Sequence, residues 1–280
     1  MNPEVQEPHP MGGCSGLGPR AWGRILIVLL LACGLFACAS SGSPNPSPGM
    51  VHVPAGPFTM GSSEEDIQWA AKTFFSESLE YYRDETPAYT VQMAAFEIDQ
   101  HEVTNAEYRK YLEATNRPAP KYLDNEKFNA PNQPVAGVTW QEANDYCAWT
   151  GKRLPTEAEW EKAARGVDGR FYPWGNDPDP TRANARGMKD GHRYPAPVGT
   201  FPKGASPYGA LDMAGNVWEW TADWYRPYPG NLVKNDLYGN TFRVMRGGSW
   251  FSNMDLARST VRGKLTPDQR QNYIGFRCAR

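Results

Sequence analysis

The side chains best suited to covalent or redox chemistry in this 280-residue chain are five cysteines, at positions 14, 33, 38, 147 and 278. Three of them fall within the first 38 residues. There Arg20 and Arg24 precede the apolar run Ile25–Ala32, which continues through Cys33 and Gly34 to Ala37. The run is shorter than the ~20 apolar residues of a membrane span, and a positive stretch before a short apolar core has the form of a secretory signal. Leu35-Phe36-Ala37-Cys38 ends it in the pattern of a lipobox, so the lipid is expected on Cys38, with Leu30-Leu31-Ala32-Cys33 as a second candidate. Residues 39–49, rich in Ser, Pro and Gly, then form a flexible tether directly after the anchor. Glu4 and Glu7 are out of place before such a signal, and a start at Met11 would leave a positive leader without acids.

Export leaves Cys147 and Cys278 in the folded part, either bridged or as two buried thiols. Other catalytic patterns are missing. His52, His101 and His192 are too scattered for a shared metal centre, and His101-Glu102-Val103-Thr104-Asn105 begins like a zinc helix without its second histidine. There is no P-loop, no dinucleotide fingerprint and no Gly-x-Ser-x-Gly elbow. A net charge of −2 and a pI near 6.1, with Lys and Arg scattered among acids, exclude a phosphate-binding face and with it nucleic acid. Abundant Gly and Pro and a mean hydropathy of −0.64 suit a loop-rich domain better than a helical bundle.

Several elements must position these residues. Met50–Gly61 alternates around Pro54-Ala55-Gly56 and reads as a bent hairpin. A capping box at Ser62-Ser63-Glu64-Glu65 opens a helix to about Tyr82, and Tyr89–Ile98 returns to strand. Thr104 with Glu107, Thr139 with Glu142, and Thr156 with Glu159 start three helices of roughly ten residues. In the second, Trp140, Ala143, Cys147 and Ala148 share a face, which turns Cys147 to the core. The third carries Trp160 and Ala164 and stops at Gly166. Residues 166–240 lack regular periodicity, so a metal, a disulfide or stacked aromatics must order them. Two strands, in 243–250 and 274–278, close the chain around a polar segment.

Five strings carry a resemblance: Gly151-Lys152-Arg153-Leu154-Pro155-Thr156-Glu157-Ala158-Glu159-Trp160-Glu161, Tyr172-Pro173-Trp174-Gly175, Gly215-Asn216-Val217-Trp218-Glu219-Trp220, Arg246-Gly247-Gly248-Ser249-Trp250 and Gly275-Phe276-Arg277. With Pro54-Ala55-Gly56 and Glu102-Val103-Thr104-Asn105, they resemble the sulfatase-modifying-factor family over residues 50–280. The resemblance implies an α+β fold, the formylglycine-generating-enzyme variant of the C-type-lectin-like architecture, with little regular structure. It also implies two structural calcium ions. One would take the side chains of Asn184 and Asp190 with the carbonyls of Ala185 and His192. The other would take Asp212 and Glu219 with the carbonyls of Gly215 and Val217. Such oxygen-rich loops suit Ca²⁺. Cys147 and Cys278 resemble a family disulfide, whereas Ala164 and Ser259 stand where another would be.

The family's founding activity oxidises a substrate cysteine to formylglycine with oxygen and a copper ion held by two cysteines. Here the stretch after Gly-Gly-Ser, Phe251-Ser252-Asn253-Met254-Asp255-Leu256-Ala257, has no cysteine. Copper(I) needs soft thiolates, so copper and that reaction are not expected. The tryptophans of the domain, mostly packing residues, leave Trp224-Tyr225 and Trp250-Phe251 as candidates for a ligand cleft, joined by Ser252, Asn253, Arg258 and Arg262. The leading expectation is an envelope-anchored lipoprotein that binds a peptide, glycan or envelope partner, facing the periplasm or cell surface, on the outer membrane of a diderm. The rival is a periplasmic oxidoreductase acting on a peptide or secondary metabolite.

Overall fold

The structure, a computed structural model, describes residues 46–187 and 189–280, which lie in the unit Ser43–Arg280. The expected signal, its cysteines Cys33 and Cys38 and most of the tether are outside the described residues. Four helices are present among those described: α1 (Glu64–Thr73), α2 (Asn105–Thr115), α3 (Trp140–Trp149) and α4 (Glu157–Arg165). Each opens on a reciprocal capping box that satisfies N–H groups the first turn leaves unpaired. In α2, α3 and α4 the boxes are the expected Thr–Glu pairs; in α1 the pair is Ser63 with Asp66. α1 also stops well short of Tyr82. Phe75 takes a positive φ of 55°, and Ser78 accepts from the Glu80 N–H, restarting the chain as the 3₁₀ turn Leu79–Glu85.

Met50–Gly61 does not form a hairpin. β1 (Met50–Val53) pairs antiparallel with β4 (Phe96–Asp99), and β2 (Gly56–Met60) pairs with β3 (Tyr89–Met93). Val53 lies opposite Phe96 and Gly56 opposite Met93, so the bend at residues 54–55 faces a break at residues 94–95. Both runs bend together, and each half continues in its own two-stranded sheet. A third sheet has the order β7 (Gly263–Leu265), β6 (Arg243–Arg246), β5 (Trp218–Trp224), β8 (Ile274–Gly275). Its β5–β8 pair is parallel and the others are antiparallel. Between α4 and β5, among the described residues, only the 3₁₀ turn Pro202–Gly204 interrupts the irregular chain.

The largest part of the core gathers Tyr108, Tyr146, Trp220, Ile274 and Phe276 around Cys147 and Cys278. These two cysteines form a disulfide with Cα atoms 5.6 Å apart, tying α3 to the chain after β8 across 131 residues. A closed loop of that length is worth ~5 kcal/mol in the chain-entropy picture. Ala143, Tyr146 and Cys147 form the buried stripe of α3, at i, i+3 and i+4, and leave Ala148 exposed on the next face.

Candidate functional site

β6 hands the chain to Gly247 and Gly248, which have φ values of 97° and 75°. A Cβ on Gly248 would stand 2.8 Å from the Leu256 carbonyl oxygen, so only glycine lets the chain fold back over its own loop. That loop is tight. Ser252 Oγ accepts from the Ser249 N–H at 3.0 Å and lies 3.1 Å from Ser249 Oγ. Two buried hydroxyls therefore stand in the stretch where the resembling enzymes carry thiols. A cleft of about 290 Å³ opens here, walled by Trp218, Ser249, Ser252, Asn253 and Tyr273. Arg186 closes one side, its guanidinium 5.5 Å from the centre of the exposed Phe251 ring, and its N–H donates to the Ser252 carbonyl at 2.9 Å.

Of the expected cleft residues, Phe251, Ser252 and Asn253 are brought together and the others are not. Trp250 turns away to pack on Phe128 and Tyr194. Arg258 is buried and donates to both Glu85 oxygens at 2.7 and 2.8 Å, and to Asp255 at 3.1 Å. Arg262 is buried on Glu157 at 2.7 and 3.0 Å. Guanidiniums spent on internal carboxylates cannot receive a ligand, so Arg258 and Arg262 are core residues. Trp224 is also occupied. Arg243 sits between its ring and that of Trp140, 3.6 and 3.8 Å from the two centroids, and Tyr225 is buried with its hydroxyl donating to Asp84. Burial alone would raise the Glu85 carboxyl, but the Arg258 charge and hydrogen bonds from Arg258, Thr260 and Ser62 hold it below its ordinary value. Glu157 is likewise lowered, against burial, by Arg262 and Arg246.

The first expected cation set is gathered by one loop. Asp190 accepts from the Ala185 N–H and the His192 N–H, both at 2.8 Å, which closes the loop and keeps a lone pair free on each oxygen. Asn184 donates through Nδ2 to the Tyr194 carbonyl and to Asn216 Oδ1, leaving its own Oδ1 buried without a donor. An acceptor stranded in this way, in the same loop as a carboxylate with lone pairs to spare, fits a hard cation.

The second set does not fit through Glu219. Both of its oxygens are held by Arg277, at 2.6 and 2.7 Å, and Trp160 Nε1 donates to one of them at 2.8 Å. Glu219 is therefore half of a buried ion pair and not a free ligand. Asp212 accepts from the Gly199 N–H at 2.6 Å, and burial raises its carboxyl. Nearby Glu102 is pushed well above the usual range by burial and by the charges of Asp212 and Glu219. Gly215 lets the two loops touch, since a Cβ there would fall 2.1 Å from the Asn184 carbonyl oxygen.

What residue reasoning missed is this set of internal ion pairs. Its signal lay in α4, where Glu157, Glu161 and Arg165 are interleaved with Trp160, Ala163 and Ala164. Charges embedded in an apolar helix face call for buried partners.

Residues 37–280 match the sulfatase-modifying factor enzyme 1-like domain. The formylglycine-generating enzyme of Streptomyces coelicolor is 33% identical, over 84% of this chain and 90% of that enzyme. Inactive C-alpha-formylglycine-generating enzyme 2 of Mus musculus is 33% identical, over 91% of this chain and 92% of that protein. The solved structure of PvdO from Pseudomonas aeruginosa superposes with a TM-score of 0.66 at 30% identity, covering 84% of this chain and 99% of PvdO.

Proposed function

The chain belongs to the sulfatase-modifying factor family and has its fold, and on that premise we propose an envelope-anchored, calcium-stabilised member that binds a ligand and does not generate formylglycine. The observation that carries this reading is the cleft at Ser249–Asn253. It is walled by hydroxyls, an amide and aromatic rings, and its loop has no thiolate. The only cysteines among the described residues are joined to each other inside a packed core cluster. A copper ion held by two thiolates does not fit these donors. A ligand with peptide or sugar hydrogen-bonding groups does, because Asn253 offers both a donor and an acceptor and Phe251 an exposed ring. The relative from Mus musculus whose name calls it inactive supports the same reading.

The calcium ion belongs to the loop of Asn184, Ala185, Asp190 and His192, which also carries Arg186. Calcium there would hold one wall of the cleft in place. Cys38 would bear the lipid, and labelled palmitate retained by a Cys38→Ser variant would contradict that. The cleft itself is tested by screening the full chain on peptide and glycan arrays, then repeating the positives with Asn253→Ala and Arg186→Ala. Both side chains are exposed, so neither change should unfold the protein. At least one ligand should lose about tenfold in affinity in both variants. Ligands that bind all three proteins equally would place recognition elsewhere.

A further inference from the structure

We propose that the cavity between the 3₁₀ turn Leu79–Glu85 and the loop at residues 233–238 is a second binding site, shaped for a small uncharged polyhydroxylated ligand of the saccharide class. Its volume, about 560 Å³, exceeds that of the Ser252 cleft and lies in the range of pockets that enclose small molecules. Leu256 lies between the two spaces and lines both. The second site does not depend on the first being occupied.

The floor is polar and incompletely bonded. Asp84 Oδ2 accepts from the Tyr225 hydroxyl at 2.5 Å. Lys264 Nζ reaches Asp84 only at 3.5 Å and the Tyr225 oxygen at 3.2 Å, so its ammonium keeps donor capacity for something in the cavity. The Tyr238 ring packs on Tyr225 with centroids 5.0 Å apart, yet its hydroxyl is buried and has no partner. A buried hydroxyl left unpaired is costly, and buried polar groups are normally satisfied by protein, water or ligand. Asp84 thus offers an acceptor, Lys264 a donor, and Tyr238 a group that can be either.

Charge and shape narrow the class. The lining carries as many acidic as basic side chains, so it has no net field to draw in an anion or a cation. Glu85 and Arg262 are already consumed by internal pairs. Tyr81 and Leu237 are exposed on the same lining and present apolar surface. Sugar hydroxyls donate and accept together, and sugar rings carry an apolar C–H face. That combination matches a neutral floor of mixed donors and acceptors beneath an aromatic side chain.

The test uses the full chain with maltose, cellobiose and N,N′-diacetylchitobiose as probes, and glycine betaine as a zwitterionic control, read by ligand-observed NMR. At least one disaccharide should bind. Its affinity should fall about tenfold in Tyr238→Phe and in Lys264→Met, the effect of one lost hydrogen bond, and should be unchanged in Asn253→Ala. Tyr238→Phe removes an unpaired hydroxyl, so its melting temperature should not fall, which separates lost binding from lost folding. Binding of none of the disaccharides would overturn the proposal. So would binding indifferent to Tyr238 and Lys264, or binding of betaine alone with the same variant pattern.

Discussion

Five arginine side chains, Arg165, Arg246, Arg258, Arg262 and Arg277, are almost wholly buried, and each meets a carboxylate: Glu161, Glu161 with Glu157, Glu85, Glu157 and Glu219 respectively. A charge can stay in an interior only when paired and hydrogen-bonded, and removing one partner strands the other. Arg258→Met should therefore destabilise the fold by about 3–5 kcal/mol, measured as a lower urea midpoint at neutral pH. The same pairs set a pH dependence. Glu85 and Glu157 are held below their ordinary values in the folded state, so their contribution is complete above the unfolded carboxylate range near pH 4. It is lost as pH falls through the depressed folded values. The urea midpoint should drop on acidification below about pH 4, and less steeply in Arg258→Met; equal slopes would contradict the pairing. Sequence position alone makes Arg258 and Arg262 resemble ligand groups, because they follow the cleft loop closely. Their true partners are distant in the chain. Glu85 lies 173 residues before Arg258, and no local pattern announces such a pair.

At the scale of elements, what was legible was local. Three Thr–Glu capping boxes, the stop at Gly166 and the irregular middle could be read directly because each is settled within a few residues. Strand pairing is not settled that way. The Pro54-Ala55 bend looks like a hairpin until β3 and β4 are seen to bend opposite it. Likewise, Glu219 looks like a calcium ligand within its own string, and only the arrival of Arg277 from 58 residues away shows it to be an ion-pair partner. The Asn184–His192 loop keeps its donors, and it touches the cleft through the Arg186 N–H on the Ser252 carbonyl. A cation in that loop should therefore support folding and binding together. Chelator treatment should lower the melting temperature by several degrees, as should Asn184→Ala, and the two effects should not add. An unchanged melting temperature on chelation, with no calcium in the purified protein, would remove the ion from the loop.

At the scale of the whole molecule, the chain closes on itself. Asp99 donates its N–H to the Cys278 carbonyl, Ala279 bridges to Arg153, and the disulfide fixes α3 to the same C-terminal segment. This frame is shared with relatives that differ in what they do, so the fold of the family is secure here while the reaction depends on a few loop residues. The loop from Ser249 to Arg258 carries hydroxyls, an amide and a carboxylate, with Cys147 and Cys278 committed to each other. The decisive measurement is to supply the purified chain with copper, oxygen and a sulfatase-type cysteine peptide and to follow the peptide by mass spectrometry. The peptide should keep its thiol, with no aldehyde formed beyond that in an enzyme-free control. Conversion of the cysteine to formylglycine, abolished by Ser252→Ala or Asp255→Ala, would contradict the binding reading and make this chain an oxidase working through oxygen ligands.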